Sequence, residues 1–441
     1  MWYNILRTLL FLIPAFAVFF AYDALATCQY CDYYVATNGN DHNDGKSQAS
    51  PIVTLTHGVS LLHPGDTLCV MSGTYQEALM SNIPGGLPAA PVTLQAYPEG
   101  ATVIIKPPLT SPKPPSVLYF DHRSQQYIIV KGFVIDATNV ARDAVKITYS
   151  GTSTDNSANN ITLENVEIKN ANQNGVITTG KANNNIFEGL KVHDNGKYCV
   201  TDGVVSPRFC HGFYITTSDN LIKGVESYNN TGYGIHIYNG SPGSTANNNI
   251  VWRSNIHNNT SNGGIILSSG TGNAAYDNII WGNHNGIVVS DGAIGTRVFN
   301  NTIVMNKGLG MFIGDTQGSK MVPGSTGATI ENNILYKNAW GDFKDLGSIN
   351  STIDHNLENI NPLFVNETGG NFLLSSSSPA IHMGSTPQAL PQEGFPYDYH
   401  PYLAIDYMGI PRPSGTAYTI GALEYVPQPS GSGNSSEGAV P

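Results

Sequence analysis

The stretch His211–Gly240, HGFYITTSDNLIKGVESYNNTGYGIHIYNG, carries one short pattern twice. Gly212-Phe213-Tyr214-Ile215 and Gly234-Ile235-His236-Ile237 each read as a glycine followed by an alternating run. Apolar residues at every second position predict strand, because successive side chains leave a strand on opposite faces. Between the copies lie the apolar-alternating Asn220–Val225 and the polar turn Asn229-Asn230-Thr231-Gly232. Gly and Asn supply the positive-φ corners at which such strands end.

The same unit recurs on both sides, at Gly175, Gly264, Gly286 and Gly310. The apolar residue after each Asn turn marks the repeat: Ile161, Ile186, Ile222, Ile250, Tyr276, Val298 and Ile330. Self-similarity at this period signals a solenoid. A leucine-rich repeat would need its Leu-x-x-Leu-x-Leu frame, which is absent. Short β-branched strands with Asn and Gly at the corners predict an all-β parallel β-helix.

Composition sets the outer limits. A solenoid grows by adding coils, so 441 residues need no second core. Charged residues are only 12%, and the net charge of −11 argues against a nucleic-acid partner, which would call for basic patches. Residues 1–26 read as an export signal: Arg7, the apolar run Leu9–Ala21, then Ala24-Leu25-Ala26 as a cleavage site. That run is short for a span, which needs about 20 residues. The expected mature chain is therefore secreted or cell-surface, with no membrane span, and monomeric. Leu25-Ala26-Thr27-Cys28 departs from a lipoprotein box at Thr27. In an oxidising compartment Cys199 and Cys210 make a natural staple across the insertion between them. Cys28, Cys31 and Cys69 would give one bridge and a leftover thiol.

A family resemblance enters at Tyr34-Val35 … Gly39-Asn40-Asp41 … Asn43-Asp44-Gly45 … Pro51 … Thr54-Leu55 … Pro64-Gly65-Asp66-Thr67 … Gly73-Thr74-Tyr75. This frame resembles the N-terminal segment of secreted bacterial right-handed β-helix proteins of the pectate-lyase-like superfamily. The resemblance implies a short helix over Thr54–Leu62 plugging the open end of the coil. Such a plug covers apolar rungs and unpaired edges. Asn361-Pro362-Leu363-Phe364-Val365 … Arg412-Pro413 … Thr419–Tyr425 resembles the family's terminal segment and is expected to fold over the last coil. The implied organisation is a signal at 1–26, the right-handed β-helix at 27–360, a C-terminal cap at 361–426 and a Pro/Gly/Ser tail at 427–441, disordered by composition.

Stacked coils place equivalent positions about 4.8 Å apart. Aligned on the glycine, the second residue after it forms a column: Ile177, Tyr214, His236, Ile266, Val288 and Phe312. If Phe213, Ile215, Ile235 and Ile237 point inward, Tyr214 and His236 point out and nearly touch. Thr216 and Tyr238 extend that face, and His211 and Tyr233 flank the glycines. The insertion His193–Cys210 offers Lys197, Asp202 and Arg208 to overhang it. The predicted catalytic set is His211, Tyr214, His236, Tyr238 and Arg208, with Lys197, Tyr233 and Asp202 binding substrate.

These residue types suit cleavage of an acidic polysaccharide. A uronate loses its C5 proton once its carboxylate is neutralised, a base takes the proton and an acid protonates the departing oxygen. His and Tyr can do the proton work, and Arg208 or Lys197 can pair with the carboxylate. The resemblance implies lyase or uronan-epimerase activity on pectate, alginate or chondroitin. Calcium is the one cofactor it allows, although no run of acids forms an oxygen cage. The family's Asp-rich calcium motif and the paired aspartates of its hydrolases are not evident. Outward aromatic stacks also pack coil on coil, so a non-catalytic carbohydrate-binding or adhesion protein is the competing expectation. Asn184, Asn220, Asn249 and Asn301 are expected to form turn ladders.

Overall fold

The computed structural model describes residues 30–201, 204–205, 209–240, 245–315, 324–387 and 400–427. Among them, strands stack into three long parallel sheets of 12, 10 and 11 strands. Sheet A runs from Tyr33–Val35 to Thr352–Asp354, sheet B from Gly73–Tyr75 to Leu357–Glu358, and sheet C from Leu79–Met80 to Phe343–Leu346. Each coil between the first and the last contributes one strand to each sheet, which is a parallel β-helix. Inward positions fill a continuous core in which Phe213, Ile215, Ile235 and Ile237 are all fully buried, as the alternation predicts. Each such side chain contributes about 1.5–3 kcal/mol of transfer free energy.

The turn between sheets A and B is held by a left-handed residue in coil after coil, among them Asn165, Gly189, Gly224, Arg253, Asp277, Asn300 and Asn332. Buried asparagines form ladders beside the turns. Asn185, Asn220 and Asn249 each pass a side-chain amide to the next asparagine's carbonyl at 2.8–3.1 Å, and Asn273 ends the ladder by donating to Ala246 O at 2.7 Å. A second ladder joins Asn278, Asn301, Asn333 and Asn356, and a third runs from Asn195 to Asn338. The first ladder begins at Asn185; Asn184 takes the left-handed corner (φ 58°) and turns its side chain to solvent.

Asn283 shows what a rung does. Its amide donates to Ile256 O and Asn306 Oδ1, and its carbonyl accepts from Asn259 N and Nδ2. Asn283→Ala should cost about 1–3 kcal/mol for each buried group left unpaired, whereas Asn184→Gly should stay within about 0.5 kcal/mol. Thermal and denaturant unfolding of the two variants checks this.

At the N-terminal end a helix spans Leu55–Ser60, shorter than the expected Thr54–Leu62. Thr54 Oγ1 caps it by accepting from His57 N at 3.1 Å, and the Glu77 carboxylate accepts from Leu55 N and Thr56 N. These satisfy donors that a helix start leaves free. Leu55 and Val59 are fully buried, and Gly58 lets the helix approach, because a Cβ there would lie 2.8 Å from Val35 Cγ2.

The C-terminal segment departs from the expected cap. It runs laterally over the outer faces of sheets A and B. Leu403 joins Ile250, Trp252, Tyr276 and Phe299 on sheet A, while Phe372, Leu374, Ile420 and Leu423 join Ile279, Val304 and Ile334 on sheet B. Those outer positions are apolar and need covering. Arg412 anchors the segment with its side chain fully buried, bridging Asp277 Oδ1 at 2.9 Å and Glu424 Oε2 at 3.0 Å. Disulfides join Cys31 to Cys69 and Cys199 to Cys210; Cys28 and the export signal lie outside the described residues. Among the described residues no helix is long and apolar enough to cross a membrane.

Candidate functional site

Strands Phe213–Ile215 and Tyr233–Tyr238 pair in parallel with Tyr214 opposite His236. The neighbouring registers complete the predicted column: Ile177 opposite Tyr214, His236 opposite Ile266, then Val288 and Phe312. The column is therefore on the outer face of sheet C.

The rings gather closely. His236 lies 4.8 Å from Tyr214, 4.5 Å from His211, 5.0 Å from Tyr233 and 5.5 Å from Tyr238, centroid to centroid. Phe209, the residue before Cys210, lies 5.9 Å from Tyr214. The Cys199–Cys210 disulfide closes the foot of the insertion beside His211. Although Tyr214 and His211 face away from the core, they are roofed over, with 7% and 1% exposure. The cluster is thus a covered nest whose open side is formed by His236, Tyr233 and Tyr238, all part-exposed.

Hydrogen bonds fix how the two imidazoles are protonated. The backbone N–H of Tyr233 donates to His211 Nδ1 at 3.0 Å, and His211 Nε2 lies 3.0 Å from His236 Nδ1. A backbone amide can only donate, so neutral His211 carries its hydrogen on Nε2 and gives it to His236 Nδ1. Neutral His236 then carries its own hydrogen on Nε2. Burial, with His211 next to it, holds the His236 imidazole well below its ordinary pKa, so the neutral form prevails. Burial pushes the Tyr214 phenol up to about 12, with Tyr238 adding to the effect, so it is a donor at neutral pH. Burial also raises Tyr233, helped by the Asp291 carboxylate.

A cleft of ≈ 260 Å³ opens from His236 along the column. Ile266, Val288 and Phe312 form its floor, and Tyr238, Ser290 and Asp291 its walls. Asp291 and Ser290 escape the sequence reading, which followed histidines and tyrosines. The signal available was the Ser-Asp pair ending the strand Ile287–Ser290, one coil beyond Tyr238–Ser268.

Of the other predicted residues, Thr216 is fully buried and bonds Thr178 O at 2.8 Å. Lys197 is exposed, with Nζ 2.8 Å from Asn170 Oδ1 at the turn between sheets B and C. Asp202 and Arg208 lie outside the described residues. Among the described residues no group of three or more His, Cys, Asp or Glu could hold a metal ion.

A second outward column stands on sheet B, where His193, Tyr228, His257 and Trp281 stack at 4.7, 5.0 and 4.8 Å, within 9° of parallel. These rings cover one another's faces, and Glu226 bonds His257 at 3.2 Å. That arrangement packs coil on coil.

The family described as "right handed beta helix region" matches residues 123–255 and 211–378. The chain belongs to the right-handed β-helix family. No curated protein matches its sequence. Among solved structures it is similar to pectate lyase Pel9A, with a TM-score of 0.62 and 16% identity, over 89% of this chain and 96% of that one. It is also similar to XylC in complex with xylose, with a TM-score of 0.56 and 12% identity, over 89% and 98% of the two chains. At such identities the likeness is one of fold.

Proposed function

We propose that this β-helix protein is exported and acts on an acidic polysaccharide, through proton transfer by the His–Tyr nest on sheet C. The reaction is β-elimination, or C5 epimerisation, which shares its first step. The observation that carries this reading is the His211–His236 pair. A fixed backbone amide orients it so that a single N–H is presented beside Tyr238 at the mouth of a cleft. In elimination the C5–H bond breaks, its electron pair forms the C4–C5 double bond, and the C4–O bond breaks. Tyr238 as its phenolate is the group at hand to take the C5 proton, the phenol so formed returns a proton to the departing oxygen, and the His236 Nε2–H holds the phenolate by a hydrogen bond. His211, with both ring nitrogens engaged, is a positioning residue. Arg208 is the proposed cation for the uronate carboxylate.

Pel9A is named a pectate lyase, and XylC was solved with xylose; both support a saccharide on a coil of this shape. The two disulfides support an oxidising compartment. One observation favours the non-catalytic alternative: no cationic side chain is among the described residues that line the cleft.

Incubation with pectate, alginate and chondroitin, followed by ultraviolet absorbance of the unsaturated uronate product, separates the readings. Growth of that signal, abolished by Tyr238→Phe, is the expected result. Proton NMR of the treated polymer detects epimerisation. Silence in both assays with retained binding would leave the carbohydrate-binding reading.

A further inference from the structure

A second cleft, of ≈ 440 Å³, lies at the corner joining sheets A and B, away from the sheet C column. Its origin is in the left-handed corner residues. Two successive coils place Gly189 and Gly224 there, so the corner is bare, and the next coil places Arg253. Tyr407, from the C-terminal segment, walls the recess, with Glu188 and Lys223 alongside.

Arg253 is out of character for its position. It holds φ 51°, where neighbouring coils use Gly, Asn or Asp. An arginine in this region carries a backbone cost that Gly and Asn largely avoid. Its Nε donates to Tyr407 O at 2.8 Å, its one side-chain hydrogen bond among the described residues, and no carboxylate there pairs with it. Lys223 bonds Glu188. The Trp252 ring lies 5.7 Å from Lys223 Nζ and 5.4 Å from the Arg253 guanidinium carbon. Two cations and one carboxylate therefore line the recess, a local positive charge on a chain of net charge −11.

We infer that this recess is a second saccharide site, which takes the carboxylate of an acidic sugar on the Arg253 guanidinium, with the sugar ring over Gly189 and Gly224. A guanidinium matches a carboxylate with two parallel N–H donors. Glycine corners let a ring approach the backbone. The inference rests on the polysaccharide reading above and adds a holding site remote from the reacting one.

The test is calorimetric titration of the full chain carrying His236→Ala, which disables the first site. The probes are trimers of galacturonate and mannuronate and a chondroitin disaccharide. At least one should bind, and adding Arg253→Ala should weaken it by roughly tenfold or more, as loss of a charge-assisted contact does. Gly224→Asn provides a variant that fills the recess without disturbing the corner. Asn already occupies this position at Asn165, Asn300 and Asn332, and a Cβ at Gly224 would meet only Gly189 N at 4.0 Å. It should give the same loss with an unchanged melting temperature. Unchanged affinity in both variants overturns the inference. So does binding by the unaltered chain that His236→Ala alone abolishes, while the proposed function stands. Failure of the unaltered chain to bind or turn over any probe sinks both.

Discussion

His236→Ala should lower turnover of a uronate polymer by about 10²–10⁴-fold, the range for disabling proton transfer at a positioned group. The nest makes a finer distinction possible at His211. His211→Phe keeps the ring volume but removes the acceptor for Tyr233 N–H and the donor to His236 Nδ1. His236 is then free to choose its tautomer, so kcat should fall while KM stays put. His211→Gln, whose amide offers both a donor and an acceptor, should recover part of the rate. A purely packing role for His211 would predict the opposite order, with Phe the better substitute. The pH profile adds an independent reading. His211 contributes to holding the His236 pKa down, so the acid limb of activity should move to higher pH in His211→Phe. Steady-state kinetics over a pH series on the three variants checks all of this.

Arg412→Met should be the most damaging single change outside the core, at about 3–5 kcal/mol, the cost of stranding a buried charge partner. Arg412 donates to Thr419 O at 3.0 Å, Gly421 O at 2.7 Å and Glu424 Oε2 at 3.0 Å while reaching Asp277. Removing it leaves two buried carboxyls, Asp277 and Glu424, without their guanidinium partner at the seam between the C-terminal segment and the coils. Hydrogen exchange should show residues 400–427 opening before the coils. The same seam gives a pH dependence of definite sign. Burial pushes the Asp277 carboxyl up from 3.8 to about 8, with Arg412 offsetting only part of it and Asp406 adding to it. A raised carboxyl pKa in the folded state means the fold binds the proton more tightly. That contribution is fully present below pH 3.8, declines as pH rises, and is lost above about 8. Asp277→Asn should therefore flatten the stability profile between these limits, and denaturant titrations across that range would detect a failure to do so.

The sheet C column was legible because its outer face is polar in the coils that matter. Tyr214 and His236 alternate with Phe213, Ile215, Ile235 and Ile237, and a one-residue slip would bury the wrong set. On sheet A the same reading slipped. The inward column is Phe187, Ile222, Val251, Ala275, Val298 and Ile330, so the markers Ile186, Ile250 and Tyr276 each sit one position off. Ile250 and Tyr276 face outward beneath the C-terminal segment. Where both faces of a strand are covered, alternation disappears and register becomes ambiguous.

By itself the amino-acid sequence determined the solenoid, its corners and the partners in the His–Tyr column, because period-two alternation and positive-φ residues are local properties of the chain. Only the tertiary structure decided that His211 is roofed over and donates to His236, that Asp291 joins the cleft, and that the terminal segment lies along the coils. Those facts depend on which distant surfaces meet. A repeat pattern does not encode such meetings, since every coil offers the same backbone and only a side chain from elsewhere selects its place.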